Sequence, residues 1–416
     1  MIEFTYTFSF AQAPEIQWQN TIGGKNYDEL YSVIEMADGG YLLGGYSYSG
    51  ISGDKTEASE GSYDYWVVKL DGSGNIEWQN TIGGSSDDDL QSVIQTADGG
   101  YLLGGYSHSG ISGEKTEASQ GSYDYWLVKL DGSGNIEWQN TIGGSYNDIL
   151  YSVIQTADGG YLLGGYSISG KSGDKTEKSQ GGFDYWVVKL DGSGNIEWQN
   201  TIGGSDYDFL YSIIQTTDGG YLLGGDSYSG ISGDKSEANQ GNYDYYYGYT
   251  ADYWVVKLDG SGNIEWQNTI GGDGGDYLYS VIQTAGGGYL LGGYSESGIS
   301  GDKTEASQGD EDYWVVKLEP EAIGTGITST TNFIDFSVFP NPDIGRITIQ
   351  AKLPHKENLT IKVLDLAGKG LYSKNFGNVT GIFSKQLDLS NFSVGTYLVL
   401  LVHNGKKEVK KLVIQK

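Results

Sequence analysis

The stretch DDLQSVIQTADGGYLLGGYSHSGISGEKTEASQGSYDYWLVKLDGSGNIEWQNTI, residues 88–142, decides the fold. It holds four runs rich in β-branched, aromatic and aliphatic residues: Leu90–Thr96, Tyr101–Ser107, Tyr125–Leu130 and Ile136–Ile142, here named a, b, c and d. The a-to-b link is Ala97-Asp98-Gly99-Gly100 and the c-to-d link is Asp131-Gly132-Ser133-Gly134-Asn135. Both are rich in residues that accept positive φ, the chemistry that closes antiparallel hairpins. The stretch therefore predicts four antiparallel strands.

The same stretch recurs along the chain, and a fixed period decides the architecture before any local reading does. One tryptophan series runs Trp18, Trp78, Trp138, Trp198, Trp266, and a second runs Trp66, Trp126, Trp186, Trp254, Trp314; together they use all ten tryptophans. The spacing is 60 residues, or 68 where the Tyr-rich insertion Asp244–Ala251 intervenes. Four antiparallel strands repeated radially make a β-propeller, whose sheets hide their faces against their neighbours. The array begins with a lone d run, Ile16–Ile22, and finishes with a, b and c, Leu278–Leu318. That phase shift predicts an all-β, five-bladed propeller over residues 14–319, its ring closed by the N-terminal strand. The glycine pair, the Asp-x-Trp strand and the later Trp resemble kelch-type propeller blades and the 60-residue propeller-like repeats of secreted bacterial proteins, with a longer b-to-c loop.

Composition agrees with an all-β chain: 416 residues hold 67 glycines, 34 tyrosines, five prolines and no cysteine. The formal charge of −29 is unevenly spread, with 12 Lys/Arg against 6 Asp/Glu in residues 332–416 and 13 against 48 in residues 1–331. The repeats are thus near −35, which excludes nucleic acid as their partner and favours cations, neutral sugars or basic proteins. No run reaches the apolar length of a membrane helix. The first 13 residues end in Ala11-Gln12-Ala13, the small-x-small form of a signal-peptidase site, behind a short apolar stretch with no basic start.

After a linker at 320–332 a second domain, 333–416, carries strand-like runs Phe336–Phe339, Ile347–Ala351, Leu359–Leu364, Lys385–Leu389, Tyr397–His403 and Glu408–Ile414, predicting a small sandwich. Its words are Val338-Phe339-Pro340-Asn341-Pro342, Ile361-Lys362-Val363-Leu364-Asp365 with Gly368-Lys369, Leu387-Asp388-Leu389-Ser390, Gly395-Thr396-Tyr397-Leu398 and Lys411-Leu412-Val413-Ile414. In this order they resemble the type IX secretion sorting domain of Bacteroidetes-type bacteria. The resemblance implies Pro340, Asn341, Pro342, Asp365, Gly368, Gly395 and Tyr397 as motif residues and the type IX machinery as a partner. It implies an extracellular or outer-membrane-surface home.

The chain lacks the signatures of most enzymes. It has three histidines, His108, His355 and His403, and no cysteine nucleophile, Gly-x-Ser-x-Gly elbow or Walker loop. The acids before the Tyr-Trp pairs, Asp64, Asp124, Asp184, Asp252 and Asp312, fit turn caps better than acid/base work. The Asp-Gly-Ser-Gly-Asn turns offer oxygens as calcium loops do, but a hairpin turn explains the same residues, so no cofactor is expected beyond that weak calcium option.

Repeats that share most residues reveal which positions differ. Differences fall in the d-to-a segment, after the b strand and in the b-to-c insertion, all on one face because the strands alternate in direction. Tyr27, Tyr48, His108, Tyr146, Tyr207, Tyr228 and Glu296 stand there as candidate ligand-binding residues. The expectation is a non-catalytic surface or secreted propeller that binds glycan or protein through this face. The alternatives are a carbohydrate-active hydrolase or lyase, which needs an asymmetric acid pair near the axis, and a passive structural surface protein.

Overall fold

The computed structural model describes residues 15–241, 243–244, 248–321, 336–339, 346–364, 369–403 and 406–415. The possible signal peptide at 1–13 and the linker beyond residue 321 lie outside them. The chain divides into two compact units, Met1–Pro320 and Glu321–Lys416.

Among the described residues the first unit is a series of antiparallel sheets, four of four strands and a last one of three, with a small two-stranded hairpin, Tyr243–Asp244 and Gly248–Tyr249, in the insertion. In the second sheet the strands are Asp88–Gln95, Tyr101–Ser107, Asp124–Leu130 and Ile136–Ile142, hydrogen-bonded in sequence order. Predicted strands b and d match at both ends, while a and c begin earlier because Asp88 and Asp124 join their ladders. Strand a carries a register shift between Leu90 and Ser92, which turns Gln91 out of the regular alternation. Gly99, at the tip of the a-to-b turn, has φ +86°, so the left-handed geometry expected of that turn is present.

Sheets pack face to face through one recurring set of side chains. Between the first and second sheets, Tyr65, Val67 and Ile82 meet Leu90, Val93, Leu103, Trp126 and Val128, nearly all fully buried. The equivalent residues fill the next three interfaces. Burying two faces of large apolar side chains at each interface, at about 25 cal/mol per Å², is the main favourable contribution to the array. The architecture is propeller-like, all-β and without helix in the described residues.

Closure by the N-terminal strand is not formed. Residues 15–24 hold no ladder, and the strand Asp312–Leu318 pairs only with Tyr289–Ser295. Tyr313 is 96% exposed and Val315 60%, whereas their equivalents Tyr65 and Val67 are wholly buried. At the other end Leu30 and Val33 are each 59% exposed. The step from one sheet to the next is fixed by the side chains that fill each interface. Four such steps leave the last face apart from the first. The segment 15–24 instead lies on the first sheet as the d strand of a preceding sheet would: Trp18 packs edge-on against Tyr41 at 5.7 Å, as Trp78 packs against Tyr101, and the Asn20 amide donates to the Gly74 carbonyl.

The second unit is one five-stranded sheet. The runs predicted as separate strands at 347–351 and 359–364 are parts of a single strand, Arg346–Leu364, whose pairing with Gly370–Asp388 is irregular between Leu353 and Glu357. Both halves feed one core, including Ile347, Ile349, Ile361, Val363, Tyr397 and Leu401.

Candidate functional site

The face that carries the d-to-a and b-to-c connections is held by a buried polar lattice. Asp88 opens strand a and accepts from the Gly84 N–H at 2.6 Å and the Ser109 hydroxyl at 2.9 Å. Asp124 opens strand c and accepts from the Gln120 N–H. Lys115 is buried between them, donates to Thr141 Oγ1 at 2.7 Å and lies 4.7 Å over the Trp126 ring. Burial pushes Asp124 up to about 7 and Lys115 down to about 8. The acids before the Tyr-Trp pairs therefore cap turns, as their sequence position implied. In the last sheet, which has no d strand, Lys303 turns instead to Ser295 and Ser307 at 2.8 and 2.7 Å.

Against this lattice stand the aromatic residues. Tyr151, Tyr211 and Tyr279, equivalent residues of three successive a strands, touch in series with ring centroids 5.1 and 5.0 Å apart. Tyr166 meets Phe209 at 4.8 Å, Phe209 meets Tyr228 at 6.2 Å, and Tyr277 and Tyr279 stack on Tyr294 at 4.7 and 5.9 Å. The wall thus runs through the third, fourth and fifth sheets. In the second sheet Gln91 interrupts it.

One position departs from the series. Tyr46, Tyr106, Tyr166 and Tyr294 share a place in strand b that the fourth sheet gives to Asp226. Asp226 is 1% exposed, lies in the ladder between Phe209 and Tyr253, and its Oδ1 has no hydrogen-bond partner. Burial, with a smaller contribution from the Asp208 charge, holds its carboxyl well above the usual range. The second sheet has its own unusual acid, Asp89, pushed up to about 7 by burial and then by the Asp87 and Asp88 charges.

Of the residues singled out from sequence, Tyr207 and Tyr228 join the wall: Tyr207 stacks with Phe209 at 5.9 Å, and the Tyr228 hydroxyl reaches the Tyr277 hydroxyl at 3.3 Å. His108 lies against Tyr123 at 5.1 Å and Tyr48 against Tyr63 at 5.5 Å, in other sheets. Tyr27, Tyr146 and Glu296 are exposed on their connections. The wall residues within strands a and b, and Asp89 and Asp226 with them, escaped a comparison that looked at connections. The same comparison along strands a and b finds them, since Glu29, Asp89, Ile149, Phe209 and Tyr277 occupy one place in five different ways.

The Asp-Gly-Ser-Gly-Asn turn is closed on itself. Asp131 Oδ1 accepts from the Ser133 and Asn135 N–H groups at 2.8 and 2.9 Å, and Oδ2 from the Asn135 amide at 2.9 Å. In the sorting motif, Gly395 and Tyr397 open a strand, with the Tyr397 hydroxyl donating to the Ser393 carbonyl at 2.8 Å. Pro340, Asn341, Pro342, Asp365 and Gly368 lie outside the described residues, as does His355 by its side chain.

Solved structures similar to this chain include a glycoside hydrolase family 32 enzyme from Bifidobacterium adolescentis, 8% identical over 94% of this chain and 77% of that one at a TM-score of 0.30. Another is a glycoside hydrolase family 43 arabinoxylan arabinofuranohydrolase from Bacillus subtilis, 12% identical over 92% and 95% at 0.31. A Synechocystis apocarotenoid oxygenase is 11% identical over 88% and 97% at 0.27. Likeness at this level carries no argument about activity. No curated protein matches the chain. No helix of the described residues is long and apolar enough to cross a membrane. Residues 337–415 match the secretion system C-terminal sorting domain, so the chain carries a type IX sorting domain and is directed to the cell surface or the extracellular space.

Proposed function

We propose that the repeat unit is a non-catalytic binding module that takes neutral glycan on the aromatic wall of the third to fifth sheets. The observation that carries this reading is the wall itself: Tyr207, Phe209, Tyr228, Tyr277, Tyr279 and Tyr294 offer ring faces and hydroxyls on the face that the repeats diversify. Sugar rings stack on such faces, and tyrosine adds hydrogen bonds at little entropic cost.

The test is thermal unfolding of the purified chain against a panel of neutral oligosaccharides, since a ligand that binds only the folded form raises the midpoint. A rise that Tyr228→Ala and Tyr277→Ala remove supports the reading. No rise with any sugar at millimolar concentration overturns it in favour of a protein ligand.

A further inference from the structure

The two ends of the sheet array are complementary halves of the interface that the array uses internally. At each internal interface a tyrosine from one sheet enters the next. Tyr65, Tyr125, Tyr185 and Tyr253 donate to the carbonyls of Trp126, Trp186, Trp254 and Trp314 at 2.9–3.0 Å. The entering ring lies over a glycine: a Cβ on Gly105 would stand 2.7 Å from the Tyr65 hydroxyl. One tyrosine of the series, Tyr313, enters nothing and is 96% exposed. One tryptophan carbonyl, that of Trp66, receives no tyrosine among the described residues. Beside it Ile22, Leu30, Leu43, Gly45 and Val68 line an open pocket of about 230 Å³, where the entering tyrosine lies in the other interfaces.

A second mismatch points the same way. The last sheet lacks its fourth strand, while Ile16–Ile22 repeats the d sequence Ile-x-Trp-Gln-Asn-Thr-Ile with no ladder of its own. Held on the first sheet by Trp18 and Asn20, it presents a free edge outward.

We propose that a second copy of this chain occupies these ends, head to tail. Tyr313 and Val315 of one copy enter the Gly45–Trp66 pocket of the next, and Ile16–Ile22 of that next copy adds to the free edge of Asp312–Leu318. The occupant is a second copy rather than the chain's own other end because both faces stand open in the same molecule. In the register of the internal ladders, where Val68 faces Gln79 and Val128 faces Gln139, Val316 faces the neighbour's Gln19. The contact is heterologous, so it propagates as an open filament or closes as a ring of copies.

The test uses the full chain, which has no cysteine to interfere. Light-scattering mass is expected to rise with concentration, and Tyr313→Ala to weaken association about tenfold or more. Because Tyr313 is exposed, that variant keeps its circular dichroism and thermal midpoint. Gln19→Cys and Val316→Cys chains, mixed and oxidised, are expected to give a disulfide dimer, and the double variant a ladder of multimers. A mass fixed at the monomer, a disulfide formed within one chain of the double variant, or association without the mixed disulfide would each overturn the proposal. The first two would mean that the chain's own ends meet or stay free, and the third that copies associate elsewhere. Loss of the glycan-dependent midpoint shift would leave these readouts untouched.

Discussion

The hydroxyl of Tyr125 donates to the carbonyl oxygen of Trp186, 61 residues further on, across 2.9 Å, and the two rings lie 4.8 Å apart. This contact joins two sheets that share no ladder, at a site fully closed to water. Tyr125→Phe removes the hydrogen bond alone and is expected to cost about 1 kcal/mol. Tyr125→Ala also empties the ring's place and is expected to cost about 3–5 kcal/mol. Urea unfolding of the two variants checks both values.

Gly165 lies where a Cβ would stand 2.0 Å from the Ile149 carbonyl and 2.8 Å from the Tyr125 hydroxyl. Backbone cannot yield there as a flexible side chain would. Gly165→Ala is expected to destabilise by about 3 kcal/mol or to fail to fold. Gly159→Ala has open space around it but a φ of +86°, so its cost is expected to be nearer 1 kcal/mol. Denaturation midpoints of the two variants rank the effects.

Stability should pass through a minimum near neutral pH. Asp64, Asp124, Asp184 and Asp252 are pushed up to about 7 by burial, against an ordinary value of 3.8. Between those values the folded chain holds protons that the unfolded chain releases, so stability falls as pH rises from about 4 to 7. Lys55, Lys115, Lys175 and Lys235 are held down to about 8 by burial, against 10.5. Above about pH 8 the unfolded chain keeps protons that the folded chain has lost, so stability recovers toward pH 10. Thermal midpoints from pH 5 to 10 test the shape, and Asp124→Asn should make the acid-side fall shallower.

Chelation should leave the thermal midpoint unchanged, because each Asp-Gly-Ser-Gly-Asn turn closes on its own N–H donors. Asp131→Ala should lower the midpoint with or without calcium. A calcium-dependent rise lost in that variant would assign the turn to a metal instead.

Removing residues 337–415 is expected to abolish delivery to the surface or medium in a host with type IX secretion machinery. Immunoblots of periplasm, cell surface and medium separate the outcomes. The repeat unit, which has its own cores, should stay folded in the truncated chain.

Much of this was legible in the sequence because repetition makes a chain its own comparison. Strand b at Tyr101–Ser107 and strand d at Ile136–Ile142 were placed to the residue. Turn glycines bracket both; strand b has Leu102 and Leu103 inside it, and strand d has an isoleucine at each end. The starts of a and c were missed because Asp88 and Asp124 look like turn residues and act as caps while already paired in the ladder. Closure was not legible at all. It depends on the tilt between packed sheets, which comes from side-chain volumes meeting across an interface rather than from any one strand. Asp226 was overlooked for a different reason: it sits inside a strand that otherwise repeats unchanged, and its meaning appears only when its tyrosine neighbours are seen around it.

The tyrosine that each sheet sends into the next also bears on how the array can change over generations. Every unit, of 60 residues or of 68, carries both the entering ring and the glycine that admits it. A unit gained or lost by recombination between its near-identical neighbours would leave every junction with the same two partners. The chain can therefore vary in length without redesigning a single contact, while its aromatic wall lengthens or shortens by one blade at a time.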